Sequence, residues 1–354
     1  MATIREKSRG QWQVQVRRKG WPYQSATFRS KKAAEAWARK IETEMDRGLF
    51  VDQSAGRQTT LGDLITLYIS EVTEKRPSEA SRIAEACRLR RFLREERRLC
   101  SFAATNLRPE HFEDYRDRRL RQPVSRGKTC DKGGKTISPG TVKRELTMLK
   151  RVLDYRKRQL GLLVNPVNTE DVKRPTINDE RDFRLTPSER RRLLAACEQT
   201  GHSWLKPLVE LGFETGARRG NLLRLEWSDI DLERGTALLR GVKNSRSPEK
   251  IINHSIGLTP RAIIILRALP KKGDRVFPLT ANALRLAFNR ARDRAGPSHF
   301  RFHDTRHERT SSLFEAGWSM VQVMAQTGHK DPKSVKRYAT FDGGYLANQL
   351  AKLG

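Results

Sequence analysis

The apolar residues of this chain come in short stripes at helical spacing, broken by charge every few positions. That pattern limits it to amphipathic helices of modest length. Leu61, Leu64, Ile65 and Tyr68 form one such stripe, and Ile83, Cys87, Leu89 and Phe92 a second. The clearest runs from Thr141 through Val142, Leu146, Leu149, Val152 and Leu153. No stretch approaches the ~20 apolar residues that a membrane span requires. The period changes to two in only a few places, so the expected fold is mainly α with small antiparallel β-sheets (α+β).

The first of those places opens the chain. Trp12, Val14 and Val16 alternate with Gln11, Gln13, Gln15 and Arg17, the signature of a strand with one buried face. Lys19-Gly20 turns the chain into a second strand near Tyr23 to Phe28. Ser30 then caps a helix whose Ala33, Ala34, Trp37, Ile41 and Met45 cover the sheet. Residues 1–50 therefore predict a small β-β-β-α domain. Asp52 to Gln58 is polar and predicts a linker, and residues 59–165 form a helical domain. Ser125 to Pro139, rich in Gly, Lys and Ser, predicts a loop. Asn165 to Asp182, with Pro166 and Pro175, predicts a second linker. Thr186-Pro187-Ser188-Glu189 opens the next helix with a capping box and a first-position proline, and the third domain covers 180–354. Within it, Thr236 to Arg240 and Lys250 to His254 are expected to pair across the Val242–Pro248 loop.

Charge indicates what such a molecule binds. Lys+Arg number 71 against 41 Asp+Glu, a formal net charge of +30. So large an excess repels itself in a folded protein and is best offset by a polyanion, which points to nucleic acid. The basic residues spread along the whole chain, against a membrane anchor, and no apolar run follows Arg5, Lys7 and Arg9 as a secretory signal would need. The expected location is the cytoplasm, with the nucleic acid it binds. Gln13, Gln15 and Arg17 on the outward sheet face, flanked by Arg18 and Arg29, suit base edges in a major groove. The helix carrying Arg88 and Arg91 suits phosphate contacts. Cys87, Cys100, Cys130 and Cys197 lie far apart without a C-x-x-C, which predicts idle thiols and neither a zinc site nor a disulfide framework.

Four segments of the C-terminal half carry residues suited to phosphoryl transfer. Thr215-Gly216-Ala217-Arg218 puts an arginine where a turn enters an apolar helix. Lys243 lies in the hairpin loop. His303-Asp304-Thr305-Arg306 sets a histidine and an arginine three apart, on one side of a helix. Thr327-Gly328-His329 precedes Asp331-Pro332, which should start a short helix leading to Tyr338. Each segment alone is commonplace. In this order and spacing they resemble the tyrosine recombinase (phage integrase) family, with Trp227-Ser228-Asp229-Ile230, His307 and Arg337-Tyr338 also in its style. The likeness is most specific from Thr186 to Tyr338. The helices before it resemble the family's core-binding domain, and residues 1–50 its arm-binding domain. Two positions depart from the pattern: Asn221 stands where glutamate is frequent, and Thr327 where leucine usually precedes Gly-His.

The resemblance implies a DNA-breaking-rejoining catalytic fold in which Tyr338 attacks a phosphodiester, leaving a 3′-phosphotyrosyl link and a free 5′-hydroxyl. It assigns Arg218 and Arg306 to the non-bridging oxygens, His303 to the tyrosine proton, Lys243 to the departing oxygen and His329 to a phosphate hydrogen bond. No metal, cofactor or ATP is expected. The implied partners are double-stranded DNA attachment sites, three further copies of the chain in a tetramer on DNA, and DNA-bending or excision accessory proteins. Two alternatives stay open: relaxation of supercoils in the manner of a type IB topoisomerase, and a DNA-binding regulator that kept only the fold. Tyr345 is the nearest alternative nucleophile.

Overall fold

The computed structural model describes residues 2–126, 129–130, 136–177, 184–241, 253–336, 338, 347 and 350–351. The chain divides into two compact units, Met1–Asp179 and Glu180–Gly354.

The first unit begins with β1 (Ala2–Ser8), β2 (Gln11–Val16) and β3 (Gln24–Phe28), an antiparallel sheet in that order. Ser30 caps α1 (Lys31–Asp46) by accepting the Ala33 N–H. Val14 and Val16 point down onto Ala34, Ala38, Ile41 and Met45 of that helix. Ala38 takes the place expected for Ala33, which is exposed. The expected linker after it contains α2 (Ser54–Gln58). Gly56 packs so closely there that a Cβ would stand 2.2 Å from the Leu160 carbonyl oxygen.

Helices α3 (Leu61–Tyr68), α4 (Glu79–Glu95), α5 (Arg97–Cys100) and α6 (Pro109–Arg121) follow. Then come the two-residue strands β4 (Ser125–Arg126) and β5 (Thr129–Cys130), and α7 (Pro139–Arg156). The β4–β5 pairing falls in the segment read as a plain loop. Leu61, Leu64, Ile65, Leu89, Leu146, Leu149 and Leu153 are fully buried in one core, each contributing about 1.5–3 kcal/mol. The α4 stripe is corrected. Ile83 is 61% exposed and Cys87 is exposed, while Glu85, Ala86, Leu89 and Phe92 are buried. The reason is polar: Glu85 faces inward to bond Arg76 at 2.7 Å and Thr73 at 3.1 Å, which turns the helix about its axis. The second expected linker is also corrected at its start. Asn165 is buried and donates to Lys150 O at 2.9 Å and Asp154 Oδ1 at 2.7 Å, and Val167 and Val172 are fully buried beneath it.

The second unit opens with α8 (Pro187–Glu198), capped by Thr186 and Glu189 as the sequence indicates. After it come α9 (Leu205–Thr215), α10 (Arg219–Leu222), β6 (Ile230–Asp231), β7 (Thr236–Leu239) and β8 (His254–Gly257). The last elements named among the described residues are α11 (Pro260–Ala268), α12 (Ala281–Ala295), α13 (Asp304–Glu315), α14 (Met320–Thr327) and α15 (Pro332–Lys336). The three strands pair antiparallel in the order β6-β7-β8, with Leu239 opposite His254 and Thr236 opposite Gly257. Strand β8 includes His254 of the expected Lys250–His254 segment and runs on to Gly257, residues 250–252 lie outside the described residues, and β6 is an addition to the hairpin. The fold is mainly α with small antiparallel sheets. Among the described residues, no helix is long and apolar enough to cross a membrane.

Candidate active site

Two helix C-termini build the centre of the second unit. Helix α9 ends at Gly216 (φ +63°) and α14 at Gly328 (φ +69°), both in the left-handed conformation that glycine adopts without strain. Gly328 has a further reason to lack a side chain, since a Cβ would lie 3.1 Å from the His254 ring. These ends present carbonyl oxygens, the negative poles of their helices. Arg306, from the first turn of α13, is only 3% exposed and bridges the two ends. Its Nη1 donates to Gly216 O at 2.8 Å and to Thr327 O at 2.5 Å. Arg218, preceding α10, reaches the next carbonyl, Gly328 O, with both Nη atoms at 3.4 and 3.5 Å. Consecutive carbonyls therefore hold two guanidinium groups side by side.

Neither guanidinium has a carboxylate partner among the described residues. Arg306 Nη2 is buried without any hydrogen-bond acceptor. Burial first, and the Arg218 charge second, push the Arg306 pKa down to about 9. Burial also lowers that of Arg218. A buried donor left unmet and a compressed pair of cations are the conditions that an arriving anion relieves.

The tyrosine lies against the same centre. Asp331 Oδ1 accepts the Lys333 N–H at 3.0 Å at the start of α15, and Tyr338 follows that helix, packing on Leu313, Phe314, Val323 and Val335. Its hydroxyl is hydrogen-bonded to His307 Nδ1. Nε2 of that ring lies 3.9 Å from Asp304 Oδ1, whose other oxygen accepts the Arg301 N–H at 2.8 Å. His303 stands at the rim, its ring centroid 5.0 Å from that of His307. Desolvation by its surroundings, and then the Arg306 charge, lower its pKa. The His329 ring is 6.3 Å from that of Tyr338, centroid to centroid. Desolvation, with Arg306 and Arg218 adding to it, pushes His329 down to about 3.

Arg218, His303, Arg306, His329 and Tyr338 thus come together, and Asn221 is buried close behind Arg218. Lys243, Arg337 and Tyr345 lie outside the described residues. His307, named in the sequence only as in the family's style and given no role there, is the ring that bonds the tyrosine hydroxyl. The signal for it was the four-residue step from His303, which brings both rings to one helical face. Beside this cluster a cavity of about 740 Å³ is bordered by Arg219, Arg224, Arg285 and Arg301. Among the described residues, no three His, Cys, Asp or Glu side chains gather in a metal-holding arrangement.

In the first unit, β2 lies between β1 and β3, with Gln13 opposite Arg5 and Thr27, and Gln15 opposite Thr3 and Ser25. Arg5 donates twice to Gln13 Oε1, at 3.1 and 3.0 Å. The Arg17 guanidinium lies 5.2 Å from the Tyr23 ring centroid, Arg18 pairs with Asp46, and Arg29 is exposed. Arg88 is also exposed, whereas Arg91 is bound to Glu145 at 2.5 Å. Cys87 is exposed, while Cys100 and Cys197 are buried, with burial pushing their pKa values up to about 11 and about 12.

The sequence matches the phage integrase family over residues 183–342. Over 239 residues it is 33% identical to a shufflon-specific DNA recombinase of Escherichia coli, covering 67% of this chain and 58% of that protein. Over 234 residues it is 26% identical to the integrase of Salmonella phage P22, covering 62% and 58%. The chain therefore spans less than two thirds of the length of these two relatives. In fold it is similar to the Tn1549 transposon integrase bound to a circular intermediate DNA, with a TM-score of 0.65 at 15% identity over 84% of this chain and 100% of that one. It is also similar to a lambda integrase tetramer bound to a Holliday junction, with a TM-score of 0.61 at 19% identity over 96% and 94%.

Proposed function

This chain belongs to the phage integrase family of tyrosine recombinases, and from that premise we propose that it integrates and excises mobile-element DNA through a covalent tyrosyl intermediate. One observation carries the reading. Two guanidinium groups without carboxylate partners among the described residues, one with a buried unmet N–H, sit on adjacent carbonyls within reach of the tyrosine's surroundings. An arginine pair grips the two non-bridging oxygens of a phosphodiester with paired N–H donors, a geometry lysine cannot reproduce.

In the proposed reaction Tyr338 Oη attacks the phosphorus, the 5′-oxygen departs, and a 3′-phosphotyrosyl bond forms as the phosphodiester breaks. Arg218 and Arg306 stabilise the added negative charge, which is the largest part of such catalysis. Tyr338 gives up its proton to a histidine of α13, and Lys243, between β7 and β8, protonates the departing oxygen. The new bond stores the energy of the old one, so rejoining to another strand needs neither ATP nor a metal. The further parts of the reading are residues 1–50 on arm-type DNA through Gln13, Gln15, Arg17, Arg18 and Arg29, and residues 59–165 on core DNA with Arg88 at a phosphate. Residues 180–354 then carry the catalysis. Four copies join two attachment sites, with DNA-bending and excision proteins as accessories.

The experiment is a nicked suicide duplex carrying the cognate site, incubated with wild-type protein and with Tyr338→Phe. Wild type should trap a covalent protein–DNA adduct and the variant none. An adduct with Tyr338→Phe would reassign the nucleophile, and absence of adduct from wild type would remove the cleavage reading.

A further inference from the structure

The two Thr-Gly pairs that end α9 and α14 use their hydroxyls alike. Thr215 donates to Leu211 O at 2.6 Å, and its oxygen accepts the Ala217 N–H, two residues on, at 3.2 Å. The direction there is unambiguous, because a backbone amide can only donate. Thr327 repeats the first half by donating to Val323 O at 2.6 Å. The group two residues on that meets its oxygen is a ring nitrogen, His329 Nδ1, also at 2.6 Å.

A hydroxyl has one proton to place. Two oxygens 2.6 Å apart repel unless a proton lies between them, so the Thr327 proton belongs to the Val323 contact. Nδ1 must then supply the other proton. The resulting chain, Nδ1–H to Oγ1–H to carbonyl, satisfies every member, and each bond polarises the next. We propose that Thr327 fixes His329 as its Nδ1–H tautomer, so that Nε2 meets the site as a bare acceptor and the scissile phosphate can dock there only when His329 takes up a proton from solvent.

The second half of this rests on the phosphodiester reading given above. Phosphate oxygens accept and do not donate, so a bare Nε2 opposes them, while a protonated ring offers an N–H. Around the ring stand Arg306, Arg218, His307, His303 and Tyr338, and His254 of β8 lies against the neighbouring Gly328. Desolvation keeps the ring neutral in the free protein, and the two fixed guanidinium charges add to it. An arriving phosphate offsets them and admits the proton. Thr327 is thus a positioning residue, and leucine at its place would leave the tautomer unset.

The tautomer is read in the free protein, which separates it from cleavage. In the ¹⁵N-histidine-labelled full chain, His329 signals are identified by their loss in His329→Gln. Wild type and Thr327→Ser should show a protonated Nδ1 and a bare Nε2, and Thr327→Val should show a mixture. A wild-type ring protonated at Nε2, or an unchanged pattern in Thr327→Val, would overturn the assignment. Binding of the cognate duplex between about pH 6 and pH 8 should tighten by about one extra factor of ten per pH unit lowered, relative to His329→Gln. Equal slopes would overturn the proton uptake. A wild type that never forms the covalent adduct would sink the cleavage reading and leave the tautomer result standing.

Discussion

The hydroxyl of Tyr338 is hydrogen-bonded to Nδ1 of His307, a residue 31 positions earlier, and not to His303. A phenol with an ordinary pKa near ~10 needs a proton acceptor at neutral pH, and a positioned general base contributes about 10²–10⁴ in rate. His307→Ala should therefore slow adduct formation by about 10² or more, with DNA affinity little changed. His303→Ala should cost less in the proton-transfer step. Single-turnover cleavage of a suicide duplex checks this, and equal rates for His307→Ala and wild type would reduce the contact to a resting pose.

Arg306→Lys keeps the charge and loses the fork. The guanidinium spends Nη1 on Gly216 O and Thr327 O and keeps Nη2 unmet, and an ammonium cannot bridge both helix ends while facing a phosphate. Cleavage should fall by about 10²–10³, the loss typical of one preorganised donor to a developing charge. Gel-resolved adduct yield at saturating DNA is the measurement. Retention of more than about a tenth of the rate would mean that charge alone suffices at this position.

Glu145 is the polar anchor of the helical core. It accepts from Arg91 at 2.5 Å, from Arg119 at 3.1 and 3.3 Å and from the Tyr115 hydroxyl at 2.7 Å, joining α4, α6 and α7. Burial alone would raise its pKa, but the bonds from Arg119, Arg91 and Tyr115 outweigh that and hold it low. Glu145→Ala would strand buried guanidinium charge, at a cost of about 3–5 kcal/mol. Urea unfolding of the full chain should show the loss, and a shift below about 1 kcal/mol would mean water replaces the carboxylate. Arg91, read from sequence as a phosphate contact, is committed to this network, which leaves Arg88 as the exposed candidate on that helix.

What the sequence made legible was local. The caps at Ser30 and Thr186 and the α3 and α7 stripes depend on neighbours within a turn, so their periodicity carried them. The face of α4 did not, because its arginines and apolar residues mix around the helix and a buried Glu85 chose the orientation through Arg76 and Thr73. Asn165-Pro166 looks like linker chemistry, yet the bonds from Asn165 to α7 fold it into the core. At the candidate site, residue types and order were readable and the four-residue step puts His303 and His307 on one helical face, whereas which of the two rings meets Tyr338 is tertiary.

Acid should destabilise the second unit in two separable steps. His254, His303 and His329 all have pKa values lowered from 6.5, each chiefly by desolvation, with His329 at about 3. The unfolded chain therefore binds protons more readily than the folded one below about pH 6.5, so stability rises with pH through that window and is lost on descent. Carboxylates held low, such as Glu189 by the Thr186 cap, add their loss only below their ordinary value of 4.5. The urea midpoint should drop between pH 7 and pH 5.5, and His329→Gln should flatten part of that slope. DNA should oppose the trend, since a phosphate beside Arg218 and Arg306 raises the affinity of His329 for the same proton. A midpoint insensitive to pH across this window would mean that the three imidazoles are hydrated in solution.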